Sequence, residues 1–372
     1  MSALPRICGW GAVTAVGLSA PATLAAWRGG IARIGDIATT ALGDLRGEPV
    51  PAQVGRASLE WLAGGPEIGQ WPGHEAWSID PPLPYETWIP DGPQRLTELL
   101  LPALDEALRQ AGLSPGLPPG WRLVLVLDEA VHDPDGADAA LLTETLQRSM
   151  GCSRDELDLR QEGRAGVLAA VHRIGGEMAS GRCAGAIVAA VSSLIRPAQL
   201  QRLVAGGLVR SPLQKDGRVP GEAAGVLVLR PEGAGVVVLG SGMAAEATVG
   251  SDLPNIGLGL SRAIRAARAG DPSLAARPTI ICDLDGTRLR AHEWLLAAPR
   301  AIGDLAWNDD GVGTDDAWHP AEPCGDVAAA AGALSLIRAA ADQRDGLATT
   351  PRTLVWGASD GPLRAATILA PL

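Results

Sequence analysis

Catalysis needs groups that attack, take up a proton or hold a metal, and this chain spaces such groups in few recognisable patterns. Its five cysteines (Cys8, Cys152, Cys183, Cys282, Cys324) are scattered, odd in number and without a C-x-x-C pair. That usage fits reduced thiols and argues against a disulfide frame or a zinc centre. The histidines His74, His132, His172, His292 and His319 show no H-x-x-x-H spacing, so each reads singly as a surface or core imidazole. Lys215 is the only lysine, which removes Schiff-base and lysine-assisted mechanisms almost everywhere. Ser192 and Ser193 lack the flanking glycines of a nucleophile elbow. Gly240-Ser241-Gly242 follows the apolar run Val236–Leu239 and matches part of a dinucleotide fingerprint, but a lone match is weak and the strand reading is favoured. The acidic run Asp309–Asp316 lacks calcium-ligand spacing and reads as solvated surface.

The elements that would position these groups alternate strand and helix. Arg6–Val16 is expected as a strand closed by a turn at Gly17, with a short helix over Ala20–Arg28. Residues 44–93 are rich in Gly, Pro and Trp, show no period and read as an irregular insertion or cap. Apolar residues at helical spacing (Leu96, Leu99, Leu100, Ala103, Leu104, Ala107) place a helix over Leu96–Ala111, stopped at Gly112. Strands are expected at Arg122–Leu127, Ala184–Val191, Val226–Leu229, Val236–Leu239, Thr279–Asp283 and Thr353–Trp356. Helices are expected at Ala137–Met150, Gly166–Gly181, Ile256–Ala269 and Asp326–Ala341. The small residues of Gly166–Gly181 suit a helix buried between two sheets. The alternation argues for an α/β sandwich. Arg230–Gly235 divides it into halves at 1–230 and 231–372.

Composition narrows the class. The chain has 372 residues, 47% of them hydrophobic and 20% charged, ordinary for a globular protein able to bury a sizeable core. A net charge of −11 without a basic run argues against nucleic acid as partner. Cys8–Ala26 is apolar enough to imitate a secretion signal, but Gly9, Gly11, Gly17 and Pro21 break the helix such a signal needs. With no apolar run long enough for a bilayer, the expected location is the cytoplasm, away from any membrane.

Four stretches carry a resemblance: GWGAVTAVGLSAPATLAAWRGG (Gly9–Gly30), GEAAGVLVL (Gly221–Leu229), DLDGT (Asp283–Thr287) and GDVAAAAGAL (Gly325–Leu334). In order and rough spacing they resemble the β-ketoacyl synthases, whose versions look like GxGxVTPxG, GEGAGxLVL, NAHGT and GHTxGAAG. The resemblance spans nearly the whole chain. It implies the thiolase-like fold: α/β, five layers α-β-α-β-α, built from two related halves.

The family's reacting groups are missing from the matching positions. Its nucleophilic cysteine falls at Arg164, and no cysteine lies within ten residues on either side. Its two histidines fall at Asp285 and Asp326, and its lysine at Ala321. The phenylalanine-glycine gate becomes Trp356-Gly357-Ala358-Ser359-Asp360-Gly361. Without thiol, imidazoles or lysine nothing carries a condensation, and paired aspartates would repel a malonyl carboxylate. No catalytic residue, cofactor or metal is therefore expected. A rival reading starts from Asp283-Leu284-Asp285-Gly286-Thr287, which matches the DxDGT signature of haloacid-dehalogenase phosphatases. There Asp283 would attack phosphorus, Asp285 would act as acid and base, and Mg²⁺ would bridge them. Only 85 residues follow Thr287, too few for that fold's usual extent.

The resemblance implies a pseudo-enzyme whose role is binding. Its shortened chain and wholesale losses resemble the thiolase-like accessory proteins of bacterial type VI secretion effector loci. These look like cytoplasmic adaptors or chaperones that bind a secreted effector, its chaperone or a spike component. The alternative is a chain-length-factor-like inactive partner of a live ketosynthase, although such partners keep a glutamine where Arg164 stands, and Gln161 is three residues away. Self-association and heterodimerisation stay open. Trp71, Trp77 and Trp88, in the irregular insertion, are the contact candidates, since tryptophan is enriched at binding hot spots.

Overall fold

The computed structural model describes residues 4–37, 52–57, 92–306 and 317–372. β1 (Arg6–Thr14) opens the chain, and Ser19 caps α1 (Ala20–Arg28) by accepting from the Ala22 amide. The amphipathic stripe read from Leu96 onward forms α2 (Gln94–Gln110), which buries Leu96, Leu99, Leu100, Ala103, Leu104, Ala107 and Leu108. β4 (Trp121–Leu127), α3 (Ala137–Met150), β5 (Leu157–Gln161), α4 (Gly166–Ala179), β6 (Gly185–Ser193), α5 (Pro197–Ala205) and β7 (Glu222–Arg230) follow. Then come β8 (Val236–Ala245), α6 (Leu258–Ala269), β9 (Thr279–Ile281), α7 (Arg288–Ile302), α8 (Ala331–Arg344), β10 (Thr353–Ala358) and β11 (Leu363–Ala370).

β6 is buried at every residue and β7 at all but its last, the pattern of strands covered on both faces. The strands run β5-β4-β6-β7-β1-β8-β11-β10-β9. Read outward from the middle, β1-β7-β6-β4 and β8-β11-β10-β9 repeat one plan. In each, the second strand is antiparallel to both neighbours and the last two are parallel. Among the described residues the two runs pair where Arg6 and Ile7 of β1 meet Val237 and Val236 of β8. Each also has a helix entered through a 3₁₀ turn, Gly163–Ala165 before α4 and Ala328–Ala330 before α8.

α4 and α8 touch strands of both runs and each other, so they form the central layer. α2 and α3 cover the outer face of the first run, and α6 and α7 that of the second. The result is the five-layered α-β-α-β-α thiolase-like arrangement. Close layering explains the glycines on β1 and β8: a Cβ at Gly11 would lie 2.0 Å from the Ala103 carbonyl of α2, and one at Gly240 2.0 Å from the Ala267 carbonyl of α6.

Gly240-Ser241-Gly242 lies within β8, the strand reading favoured from sequence, and pairs Ile368, Thr367 and Ala366 of β11. One expectation needs correction: not all of 44–93 is irregular, since Ala52–Val54 forms β3, antiparallel to β2 (Gly35–Ile37). Residues 44–51 and 58–91 of that insertion, like the acidic run Asp309–Asp316, lie outside the described residues. Among the described residues no helix is long and apolar enough to cross a membrane.

Candidate functional site

Arg164 sits in the 3₁₀ turn at the start of α4, in a backbone that Gly163 admits by taking φ 62°. Asp283 and Asp285 leave the end of β9. Asp326 follows Gly325, which turns at φ 74° after the single helical turn Ala321–Cys324 that contains Ala321. Arg164 lies more than a hundred residues before the three aspartates in sequence, and the fold brings them together in its interior.

What meets there is an ion cluster. The Arg164 guanidinium lies 3.0 Å from Asp283 Oδ1 and 3.4 Å from Asp285 Oδ2, and pairs directly with Asp326. Arg290, from the first turn of α7, donates Nε to Asp285 Oδ2 at 2.8 Å and reaches the Ala358 carbonyl and Asp360. Arg218 clamps Asp360 through both carboxylate oxygens, at 2.9 and 3.0 Å, and lies 3.4 Å from Asp285 and 3.6 Å from Asp326. Arg164, Arg218, Arg290, Asp283, Asp285 and Asp326 are all buried. Ala321 contributes no polar group.

Backbone amides complete the shell. Asp283 accepts from the Ala358 amide (3.1 Å), Asp326 from Ala328 (2.9 Å), and Asp285 from the Thr287 amide (3.0 Å) and hydroxyl (2.6 Å). Ser359 Oγ accepts from the Ala165 amide and donates to the Glu162 carbonyl. The stretch Ala358–Asp360, where the ketosynthase gate would lie, is thus tied to Asp283, Arg290, Arg218 and the start of α4.

Three guanidiniums face four carboxylates, and the surroundings divide the aspartates. Burial, opposed by Arg164 and Arg290, pushes Asp283 up. Burial also works on Asp285, but Arg290, Arg164 and Arg218 outweigh it and hold Asp285 well below the usual carboxylate range. Asp360 is held down in the same way by Arg290, Arg218 and Arg164. Arg164 stays charged, because Asp326, Asp283 and Asp285 outweigh its burial. Cys282 adjoins the cluster in sequence, but burial pushes its thiol up to about 12, and that of Cys324 up to about 11. Thiols so placed stay protonated and are poor nucleophiles.

The position expected for the family's cysteine and those expected for its histidines therefore do converge. Sequence reasoning missed Arg218 and Arg290 and named Asp360 only within the gate string; these are three of the cluster's seven charged side chains. The available signal was Arg290, five residues after Asp285 on the buried side of a helix. Asp283 and Asp285 would have to coordinate Mg²⁺ under the phosphatase reading, yet guanidiniums occupy their oxygens. Glu129, His132 and Asp360 place ligand atoms within 4.8 Å of one another at the edge of the cluster. Asp360 there already holds two arginines, a poor setting for a cation. Trp71, Trp77 and Trp88 lie outside the described residues.

No family model matches the chain, and no curated protein matches it. Solved ketosynthases share its fold. A ketosynthase of a type II polyketide system, in complex with its acyl-carrier protein, superposes with TM-score 0.71 at 14% identity over all of both chains. The ishigamide ketosynthase/chain length factor gives 0.69 at 17%, again over all of both chains. An oxazolomycin ketosynthase domain from Streptomyces albus JA3453 gives 0.68 at 15% over 99% of this chain and 75% of that one. The chain has the thiolase-like ketosynthase fold.

Proposed function

We propose that this chain is a non-catalytic member of the ketosynthase fold that works by binding another protein, as a cytoplasmic adaptor or chaperone in loading a type VI secretion effector. The observation that carries the reading is the ion cluster: where a ketosynthase would hold a thiol and two imidazoles, Arg164 is bonded to Asp283, Asp285 and Asp326. A guanidinium so paired cannot attack a thioester, and aspartates cannot protonate an enolate as imidazoles do. The cluster also joins segments on both sides of the β1–β8 seam, which suits a scaffold that keeps its shape without turnover. Fold alone does not assign the partner.

The test uses the intact protein in its own host. It should co-purify stoichiometrically with one effector or that effector's chaperone, and deleting its gene should stop delivery of that effector while the secretion apparatus keeps running. Alanine at Trp71, Trp77 and Trp88 should weaken that complex at unchanged melting temperature if these side chains make the contact. Secretion of every effector unaffected by the deletion would sink the adaptor reading. The chain-length-factor alternative is equally consistent with the likeness to the ishigamide ketosynthase/chain length factor. Under it, the stoichiometric partner is a live ketosynthase.

A further inference from the structure

From the outer layer of the second half we infer a docking face for an acidic, amphipathic segment of a partner protein. The chain is strongly acidic, at net charge −11, yet residues 253–270 contain no carboxylate and three arginines. On α6, Leu258, Arg262, Arg265 and Ala269 fall at i, i+4, i+7 and i+11 and are all exposed, one stripe facing solvent. Arg265 is fixed across the helix pair by donating to the Arg300 carbonyl of α7, at 2.9 and 2.6 Å. Arg300 in turn donates to the Ile256 and Leu296 carbonyls, at 2.6 Å each. These bonds fix each guanidinium on backbone carbonyls, not on carboxylates.

The nearby acids are committed or distant. Asp304 is clamped through both oxygens by Arg268, and Glu293 is buried against Arg364. Asp252 lies beyond Leu253 at the far end of the preceding loop. Arg262 makes no hydrogen bond or ion pair among the described residues. In the same stretch Leu253 (68% exposed), Ile256 and Leu258 remain in water, as does Leu295 (60%) on the neighbouring α7. Fixed cations within a rim of exposed aliphatics match a helix with carboxylates beside an apolar stripe, a recurrent mode of peptide recognition. The chain's overall negative charge opposes anionic lipid, which favours a protein segment over a membrane.

The inference rests on the proposed binding role, and the test separates the two. The probe is a fluorescent synthetic helix of about 18 residues, long enough to cover the stripe, with leucines at helical spacing and glutamates elsewhere. Controls are the same helix with lysines for glutamates and vesicles containing anionic phospholipid. The protein should bind the acidic helix and neither control. Arg262→Glu, which breaks no bond, should weaken binding at least tenfold at unchanged melting temperature, and Leu258→Gln should weaken it as well. Raising salt from about 50 to about 300 mM should also weaken it, as attraction between exposed charges requires. Equal binding of the lysine helix, binding of vesicles instead, or indifference to Arg262→Glu overturns the proposal. If the partner co-purified from the host binds Arg262→Glu protein as tightly as the parent, this face is wrong and the binding role stands. If no partner co-purifies, the binding role fails whatever the peptide does.

Discussion

Replacing Arg164 by methionine would leave Asp283, Asp285 and Asp326 without the cation they share. Removing one member of a buried ion group typically costs about 3 to 5 kcal/mol, because the charges left behind stay desolvated. We expect a loss of that order in chemical denaturation, with most of it recovered when Asp326→Leu accompanies Arg164→Met. A single variant within about 1 kcal/mol of the parent would mean a solvent-exposed pair, not a buried cluster. Acid should weaken the same cluster. Asp285 and Asp360 are held below the usual carboxylate range, so their contribution is present above about pH 4 and lost as pH falls further. Asp128 behaves oppositely. Burial pushes it up to about 6, against bonds from Ser192 and Ala329. Its contribution is full below about pH 4 and declines as pH rises through 6. Asp128→Asn should flatten that part of the profile, and a parallel pH profile for parent and variant would contradict the assignment.

At the scale of elements, the glycines of β1 and β8 serve close packing of helix on strand. Gly240→Ala should destabilise by more than about 1 kcal/mol, since overpacking forces backbone shifts and the added Cβ would meet the Ala267 carbonyl at 2.0 Å. Thermal unfolding checks this, and nucleotide should not shift the melting temperature of the parent. Elements with strong periodicity were legible in the sequence: α2 begins within two residues of its expected start because seven apolar side chains fall on one face. Others carried weak local signals. β5 is only five residues long, β11 (LRAATILA) fits helix and strand equally, and α7 contains Pro299. The cluster was half legible. Motif position located Arg164, Asp285 and Asp326, whereas Arg218 and Asp360 meet across 142 residues by folding alone.

For the whole molecule, the repeated plan β1-β7-β6-β4 and β8-β11-β10-β9 places α4 and α8 back to back, with their entry turns near one point. In the ketosynthase fold that point is where chemistry would occur, and here seven charged side chains fill it. The proposed role is binding without catalysis. The most direct measurement is intact mass after incubating the purified protein with acyl- and malonyl-thioesters of coenzyme A and of an acyl-carrier protein. We expect the unmodified mass and no loss of CO₂ from the malonyl thioester, for the parent and for Arg164→Cys alike, since Asp285 and Asp326 cannot replace imidazoles. A stoichiometric acyl adduct on the parent protein, abolished by changing one of its five cysteines, would contradict the account.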